Sequence, residues 1–390
     1  MKTFTFAFVF LLSLACFCVK EMYAQTDSTF KPSGKFSMVL FGDYMYKLHA
    51  DALNRGISQY SAVPKSFSNF QLRRLYFGYN YDISPAFTTE FVLAYEDGGG
   101  ASATLDGGGE RSFYLKYANI RWKNVFANTD IIFGAQATPA FAASSEKIWG
   151  YRAIEKTLLD KNKIASASDV GIALQGWFDE KNFGYDILYG NGSAQKLEAD
   201  KFKKISGDLW GKFMEKKITL QLYGDLNRAS DAPAKDISTL KLFLGYQSKP
   251  LTIGVEGFMQ TQTNAIIRDT RRDDSTIFKG SIDTMSVKPF GLSAFAVYEV
   301  IENSLNVFVR YDMFDPDNNF DESAFGYFGG SYSKSKENFF VAGLDWTPHM
   351  NVHIMPNFWY TGYFAKAAGA FGPEKFDKDI VARVTVSFKI

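Results

Sequence analysis

The sequence predicts an all-β protein: a transmembrane antiparallel β-barrel of about 16 strands, with short periplasmic turns and long external loops. Three observations predict this fold. Aromatic residues make up 17% of the 390 residues and glycine occurs 32 times. Aromatic residues favour strands, whereas glycine interrupts them. Segments in which apolar and polar residues alternate recur along the chain, and the connections between them are alternately short and long.

The alternating segments are long enough to cross a bilayer as tilted strands. In the first segment, apolar Phe36, Met38 and Leu40 share one face. The polar side chains of Lys35 and Asp43 lie on the opposite face. Most segments contain about 9–13 residues, close to the 9–11 that a transmembrane β-strand needs. The fourth, twelfth and fourteenth segments alternate poorly, which predicts a β-bulge in each. The sixteen segments are 35–48, 70–81, 86–96, 111–122, 128–136, 168–178, 182–190, 203–214, 217–227, 238–248, 251–262, 288–299, 304–314, 338–347, 351–360 and 380–390.

The connections place all turns at one rim of this barrel and all loops at the other. Short connections include D-I-S-P at 82–85, D-E-K at 179–181 and P-H-M at 348–350. Such a strict alternation of turns and loops is typical of barrels in bacterial outer membranes. The long connections are 49–69, 97–110, 137–167, 191–202, 228–237, 263–287, 315–337 and 361–379.

The last segment predicts that the barrel is closed. Val384 and Val386 alternate with Arg383 and Thr385 up to the final residue. A closed barrel pairs its last strand with its first, so that no strand edge is left open in the membrane. We therefore expect the even-numbered side chains of this strand to face lipid, and Arg383 to face the lumen.

The N-terminal segment predicts export. Residues 1–24 combine a lysine, an apolar run and small residues near the end, the pattern of a cleaved signal peptide. Cys16 and Cys18 both lie in this segment. The mature domain, residues 25–390, would then carry no thiol for disulfides, catalysis or metal binding. It also contains no apolar run near the ~18 residues of a membrane-spanning helix.

Charge and histidine content exclude several functions. Lys and Arg number 43 against 42 Asp and Glu, so no basic stripe indicates a nucleic-acid partner. His349 and His353 would lie about 13 Å apart on a strand, too far to share a metal ion. Carboxylates are abundant, but no nucleophile and base accompany them. We therefore expect no catalytic, cofactor-binding or metal-binding residues, and the protein is not predicted to be an enzyme.

Four stretches carry a resemblance to a known family. They are F-Q-L-R-R-L-Y-F-G-Y (70–79), D-I-I-F-G-A-Q-A-T-P-A-F (130–141), E-K-I-W-G-Y-R-A-I-E-K-T-L-L-D-K (146–161) and S-D-V-G-I-A-L-Q-G (168–176). They resemble bacterial outer-membrane porins of the phosphate-selective O/P type. The resemblance implies a 16-stranded barrel, a homotrimer, and a third long loop, 137–167, folded into the lumen as a constriction. Barrel and signal peptide together predict integral insertion in the outer membrane of a Gram-negative bacterium.

The sequence departs from this family in two respects. The chain ends in Ile390 where such porins end in an aromatic residue, so the signal that the C-terminal strand gives to the barrel-assembly machinery is imperfect. Phosphate selectivity, which rests on ladders of Arg and Lys, is not carried over, because eight predicted lumen cations face ten anions. These residues are Lys35, Lys47, Arg74, Lys116, Lys212, Lys241, Arg310 and Arg383, and Asp43, Glu90, Glu96, Asp186, Asp208, Asp225, Glu256, Glu299, Asp312 and Asp345.

The third long loop is the best candidate for selecting solutes, because a pore selects by its width and by charges at its narrowest place. The loop carries five cations and three anions, which favours anions slightly if it folds inward. The alternative, a loop outside the barrel with solvated charges, stays open. The charges are Glu146, Lys147, Arg152, Glu155, Lys156, Asp160, Lys161 and Lys163. The wall residues predicted to join this site are Arg74, Lys116, Glu90, Arg310 and Arg383.

Two further charged features have open interpretations. Arg73 either faces the lumen beside Arg74 or extends to lipid head groups. The cluster around Arg271 in the connection 263–287 is interpreted as solvated surface or as a contact for lipopolysaccharide or divalent ions, rather than as a solute site.

These patterns predict a porin that lets small hydrophilic solutes or ions diffuse through a water-filled lumen, with a weak preference for anions. Its expected partners are the outer-membrane bilayer, two further copies of the chain, the barrel-assembly machinery and the solutes themselves. The alternative function is that of a non-conducting outer-membrane barrel acting as an adhesin or surface structural protein.

Overall fold

The structure is a computed structural model that describes residues 29–97, 111–141, 144–231, 233–269, 282–321, 335–366 and 376–390. The predicted signal peptide and Arg271 lie outside the described residues. The strands are β1 Ser33–His49, β2 Ser68–Asp82, β3 Phe87–Glu96, β4 Tyr114–Phe126, β5 Thr129–Ala137, β6 Ser168–Phe178, β7 Phe183–Gly190, β8 Lys204–Phe213, β9 Ile218–Asp231, β10 Ala234–Ser248, β11 Leu251–Asp269, β12 Ile282–Val287, β13 Phe290–Ile301, β14 Leu305–Asp315, β15 Lys336–His349, β16 Val352–Phe364 and β17 Phe376–Lys389. Two short helices, α1 Ser145–Trp149 and α2 Leu158–Lys161, lie between β5 and β6.

The strands form one closed antiparallel sheet. β12 and β13 follow each other across Lys288 and Pro289, and both pair with β11, so together they make one strand of a 16-stranded barrel. β17 pairs with β1 from Val39 opposite Lys389 to His49 opposite Ile380. Closure gives every strand two neighbours, as a membrane-spanning sheet requires. The predicted all-β barrel of about 16 strands is confirmed.

The strands present an apolar outer face and a largely polar inner face. In β17, Val384 and Val386 are exposed on the outside, whereas Arg383 and Thr385 are buried inside. In β9, Leu226 is 61% exposed and its neighbour Asp225 is buried. The alternation therefore separates a lipid face from a lumen. Among the described residues, neither helix is long and apolar enough to cross a membrane.

Turns and loops lie at opposite rims, but two of the predicted loops are wrong. Residues 228–237 are mostly strand, because β9 runs to Asp231 and β10 begins at Ala234. In 263–287, β11 runs to Asp269 and β12 begins at Ile282. These extensions pair through backbone hydrogen bonds, and adjacent residues such as Ser230 and Asp231 or Ile266 and Ile267 are alike in polarity. Outside lipid neither face has to be apolar, so the alternation that reveals a membrane strand is missing.

The three predicted bulges are present, and further register shifts were not foreseen. The registers shift between Val92 and Leu93 where β3 meets β4, between Glu299 and Ile301 in β13, and between Trp346 and His349 in β15. One of the unforeseen shifts lies where β1 meets β2. Bulges re-aim side chains, and the shifts in β2 and β4 serve the interior described next.

Candidate functional site

The connection between β5 and β6, residues 138–167, is called the inserted segment here because it contacts inward-facing side chains of eight strands. The ring centre of Trp149, in this segment, lies 5.0 Å from the ring centre of Phe295 in β13. The other contacts are hydrogen bonds, which join Arg73 to Ala153, Gln221 to Pro139, Lys241 to Ser145, Gln260 to Ile164, Arg310 to Lys156, Tyr151 to Asp345 and Arg383 to Ile154. The strands β2, β9, β10, β11, β13, β14, β15 and β17 surround the lumen, so the segment runs through its interior.

The sequence of the inserted segment explains its fold. Helix α1 ends at Gly150, which adopts the left-handed conformation at φ 71° and donates its N–H to the Glu146 carbonyl. The indole Nε1 of Trp149 then donates to the Glu155 carbonyl at 2.8 Å, which fixes the turn between the helices. Ile148 packs where the wall carries Gly245, and a Cβ there would lie 2.7 Å from its Cδ1. The wall is therefore shaped to receive the helix.

Three buried arginines of the wall hold one short stretch of the inserted segment. Arg73 donates to the Ala153 carbonyl at 3.4 Å, Arg383 to Ile154 at 3.0 Å, and Arg310 to Lys156 at 2.6 Å. Each arginine is at most 4% exposed. A planar guanidinium can bind a carbonyl and a carboxylate together, so these arginines fix the segment rather than face solvent.

The unforeseen bulge in β2 explains why Arg73 points inward beside Arg74. Phe41 pairs with Arg74 and Gly42 with Leu72, which leaves Arg73 as the extra residue of the bulge. Without it, adjacent residues of a strand would point to opposite faces. The lumen position of Arg73 thus settles the alternative that the sequence left open.

A second connection, residues 50–67, also packs against the inner wall, and sequence analysis gave it no role. Its Tyr60 is 1% exposed, and the Tyr60 hydroxyl accepts a hydrogen bond from Arg383 at 2.9 Å. Lys47 donates to the Tyr60 carbonyl at 2.7 Å and pairs with Asp379 at 2.6 Å. This stretch mixes apolar and polar residues without a regular period, so its sequence gave no signal for this contact.

Open space remains on one side of the inserted segment. A cavity of about 380 Å³ meets a second of about 230 Å³, and Lys116, Arg152 and Ala167 line both. We call the two together the open path. Its charged lining consists of the cations Lys116, Arg152, Lys156, Lys163 and Lys204 and the anions Glu96, Glu146 and Asp160. Five cations therefore face three anions along this path.

Lys116 reaches the open path because of a bulge. Val92 pairs with Tyr117 and Leu93 with Leu115, so Lys116 is the extra residue of β4. Its ammonium lies 4.8 Å above the ring centre of Tyr76 and forms an ion pair with Glu96. Arg74 stands behind this pair, 3.7 Å from a Glu96 oxygen. The wall thus offers two cations around one carboxylate.

The inserted segment adds a matching group of charges. Arg152 forms an ion pair with Glu146 and another with Asp160, the latter at 3.1 Å, and Lys156 lies 3.5 Å from Asp160. Burial alone would raise the pKa of Asp160, but Arg152 and Lys156 outweigh it and lower that pKa. The pKa of Lys156 is lowered by burial, and Arg74 and Arg152 lower it further. Asp160 stays ionised, whereas Lys156 releases its proton more readily than an ordinary lysine.

The predicted site residues fall into three groups. Lys116, Arg152, Lys156 and Asp160 line the open path, with Arg74 directly behind them. Four others lie outside that lining. Arg310 and Arg383 are wall residues that donate hydrogen bonds to the inserted segment. Lys161, which pairs with Glu337 at 3.7 Å, and Glu155 are buried residues of the segment itself. The remaining two are Lys147, which is exposed, and half-buried Glu90, which accepts a hydrogen bond from Asn119. Sequence analysis did not name Lys204 as a lining residue, although Lys204 shares the even-numbered inward face of Asp208.

Solved structures with a similar fold are outer-membrane proteins. The outer membrane channel DcaP of Acinetobacter baumannii superimposes with a TM-score of 0.62 at 11% identity, covering 92% of this chain and 98% of DcaP. An anion-selective porin from Comamonas acidovorans gives 0.57 at 13% identity, covering 92% and 100%. Outer-membrane expressed OmpT of Vibrio cholerae gives 0.57 at 12% identity, covering 93% and 99%. The fold is that of outer-membrane porins.

At these identities the likeness concerns the fold alone. No protein-family model matches the sequence, and no curated protein matches it. The closed barrel with its apolar outer face resembles integral outer-membrane porins of Gram-negative bacteria.

Proposed function

We propose that the protein is a porin through which small hydrophilic solutes or ions diffuse passively, with a weak preference for anions. One observation carries the proposal: the open path lies inside a closed barrel and is lined by five cations and three anions. Fixed charges at a narrow passage raise the local concentration of ions of opposite sign. Because three cations are balanced by the anions beside them, the preference is expected to be small.

We further propose that the inserted segment forms the constriction. In support, Arg152 lines both cavities of the open path, and the arginines of the wall hold the residues that follow it. A fixed segment presents its charges at constant positions, which a selective passage requires. The phosphate-selective O/P subtype stays a resemblance, and no phosphate specificity is proposed.

Assembly and biogenesis are also part of the proposal. We infer a homotrimer inserted by the barrel-assembly machinery after removal of the signal peptide at residues 1–24. OmpT of Vibrio cholerae, a protein of the same fold, has a trimer form. We also propose that the protein is not an enzyme, since its charged interior residues pair with one another rather than with a nucleophile.

The test is single-channel recording of the refolded mature protein in planar bilayers, with reversal potentials in a KCl gradient. We expect discrete current steps, grouped in threes for a trimer, and a reversal potential of the sign that anion preference gives. The variant Arg152→Gln should move the reversal potential towards that of a non-selective pore. Lys201→Gln, an exposed external residue paired with Asp231, is the matched control and should leave it unchanged.

Two outcomes would contradict the proposal in different ways. A barrel that folds and inserts but passes no current would favour the adhesin or surface structural protein. A pore that prefers cations would still be a porin, but the open path would not select anions. The same conclusion would follow if Arg152→Gln left the reversal potential unchanged.

A further inference from the structure

Three adjacent strands carry buried oxygen atoms without a hydrogen-bond partner among the described residues. They are Oδ1 of Asp186 in β7, Oδ1 of Asp208 in β8 and Oε1 of Gln221 in β9. The three residues are 9%, 3% and 0% exposed, respectively. Buried polar atoms in folded proteins are nearly always satisfied by a partner, a water or an ion.

The register brings these side chains together. Asp186 lies directly opposite Asp208 where β7 pairs with β8. The amide Nε2 of Gln221 donates to Oδ2 of Asp208 at 2.5 Å and to the Pro139 carbonyl at 3.1 Å. Both bonds use the amide nitrogen, so neither of them occupies the amide oxygen. The other oxygen of Asp186, Oδ2, accepts a hydrogen bond from Nε2 of Gln175 at 3.3 Å. The group lies beneath the start of the inserted segment.

The negative charge of this group is not balanced by an ion pair. Over the described ranges, neither Asp186 nor Asp208 lies within 4.0 Å of a lysine or arginine nitrogen. The nearby lysines pair elsewhere: Lys204 with Asp225 at 2.8 Å and Lys241 with Glu256 at 3.2 Å. Two facing carboxylates in a buried place repel each other and lack hydration, so the arrangement calls for a cation.

We propose that Asp186, Asp208 and Gln221 bind a hard metal cation of the Ca²⁺ type. Carboxylate and amide oxygens are the ligands such cations prefer, and water completes their coordination. Over the residues that the structure describes, no group of three His, Cys, Asp or Glu side chains is arranged for a metal ion. The site is therefore poor in charged ligands, and we expect an affinity on the order of 10⁻⁴–10⁻³ M, as in weak extracellular Ca²⁺ sites. A bound ion would brace the wall under Pro139, whether or not the pore selects anions.

Terbium luminescence tests the site directly. Tb³⁺ occupies Ca²⁺ sites, and Tyr223 stands opposite Asp208 in the register, where it can transfer excitation energy. Folded protein in detergent micelles should show saturable Tb³⁺ emission excited through tyrosine, and Ca²⁺ should displace it. Asp208→Asn and Asp186→Asn should each weaken Tb³⁺ binding about tenfold or more, because each removes a charged ligand.

Controls separate this site from other carboxylates. Glu90→Gln changes another lumen carboxylate, which accepts a hydrogen bond from Asn119 at 3.1 Å, and should bind Tb³⁺ like the unaltered protein. Folding of every variant is checked by heat-dependent migration in SDS gels. If the aspartate variants fail to fold, Gln221→Met, which keeps the shape and removes the oxygen, should still weaken binding.

The proposal is overturned if the unaltered protein shows no saturable Tb³⁺ emission that Ca²⁺ displaces. That result would mean that the two carboxylates share a proton instead. Equal binding by folded Asp208→Asn would also overturn it, by assigning the emission to surface sites. None of these outcomes depends on whether the barrel conducts.

Discussion

The inserted segment separates two regions of the lumen that differ in what occupies them. On the filled side, strands β1, β10 and β13–β17 turn apolar side chains inward against the segment: Phe41, Met45, Phe243, Phe295, Phe308, Phe339, Val341, Met355, Trp359 and Val381. On the open side, strands β3, β4, β8, β9 and β11 face the open path with charged and polar side chains. A single barrel thus contains a packed core and an open path with a charged lining.

This difference shows that the inward-facing Arg and Lys side chains have two roles: some hold the inserted segment, and others line the open path. On the filled side Arg310 binds both oxygens of Asp312, at 2.8 and 2.7 Å, and holds the inserted segment. On the open side Lys116 and Arg152 line the passage. The first kind binds the inserted segment, so it contributes rigidity. The second lines the open path, where we propose that it acts on passing ions.

The largest expected effect comes from emptying the filled side. Trp149 is 1% exposed and packs against Phe295 and Phe308. Trp149→Ala should lower the free energy of unfolding by about 3–5 kcal/mol, the cost of removing a large buried aromatic side chain. Urea unfolding of the folded barrel, followed by tryptophan fluorescence and gel migration, measures it. The same variant should raise single-channel conductance, because its cavity joins the lumen.

Trp346→Ala is the control for that change. Trp346 is 49% exposed on the outer face, so its removal leaves no cavity in the interior. Its unfolding free energy should fall clearly less than that of Trp149→Ala, and its conductance should not change. Equal losses from the two variants would mean that the filled side does not behave as a core.

A smaller effect is expected from one buried charge. Arg383 pairs with Asp43 at 3.4 Å and donates to Asn357 and to the Ile154 carbonyl. Arg383→Gln leaves Asp43 with Arg73 as its remaining cation, and should cost about 3 kcal/mol of unfolding free energy. The reversal potential should stay the same, because Arg383 does not line the open path. A shift as large as that of Arg152→Gln would contradict the division between the two sides.

The same division explains which strands the sequence predicted well. Where most inward-facing residues of a strand are polar, as in β9 and β17, the alternation of apolar and polar residues predicted both the strand and its inward face. In β13 and β15 the inward positions include Phe295, Phe339 and Val341, so both faces are apolar and alternation is weak. The poor pattern that predicted bulges there thus has a second cause, the packing of the inserted segment. That packing depends on contacts between distant parts of the chain.

The site was predictable only in part, for a related reason. Sequence analysis grouped the charges of residues 137–167 and assigned Lys116 and Arg74 to the lumen. Alternation gives the side on which a residue lies but not its depth or its neighbours. It therefore could not separate Arg310, which holds the inserted segment, from Lys116, which lines the path. Nor could it show that a bulge turns Arg73 inward, because an inserted residue leaves no periodic signal.

The smallest expected effect is a pH dependence of the open side. Burial lowers the pKa of Lys156 below the 10.5 of an ordinary lysine, and the like charges of Arg74 and Arg152 lower it further, against the opposing pull of Asp160 and Glu96. Raising the pH from neutrality therefore removes the charge of Lys156 before that of exposed lysines. The pKa of Asp160 is lowered, so its negative charge persists over this range.

The anion preference should then decline as the pH rises towards 10.5, while conductance remains. Reversal potentials measured at constant KCl gradient between neutral and alkaline pH record the decline. Lys156→Gln removes the titrating group and should start with a weaker anion preference that stays nearly constant over the same range. If this variant shows the full decline, another lysine on the path titrates instead, and Lys163 and Lys204 are the next to replace. If neither protein responds to pH, the charge of Lys156 is too well compensated by Asp160 to influence passing ions.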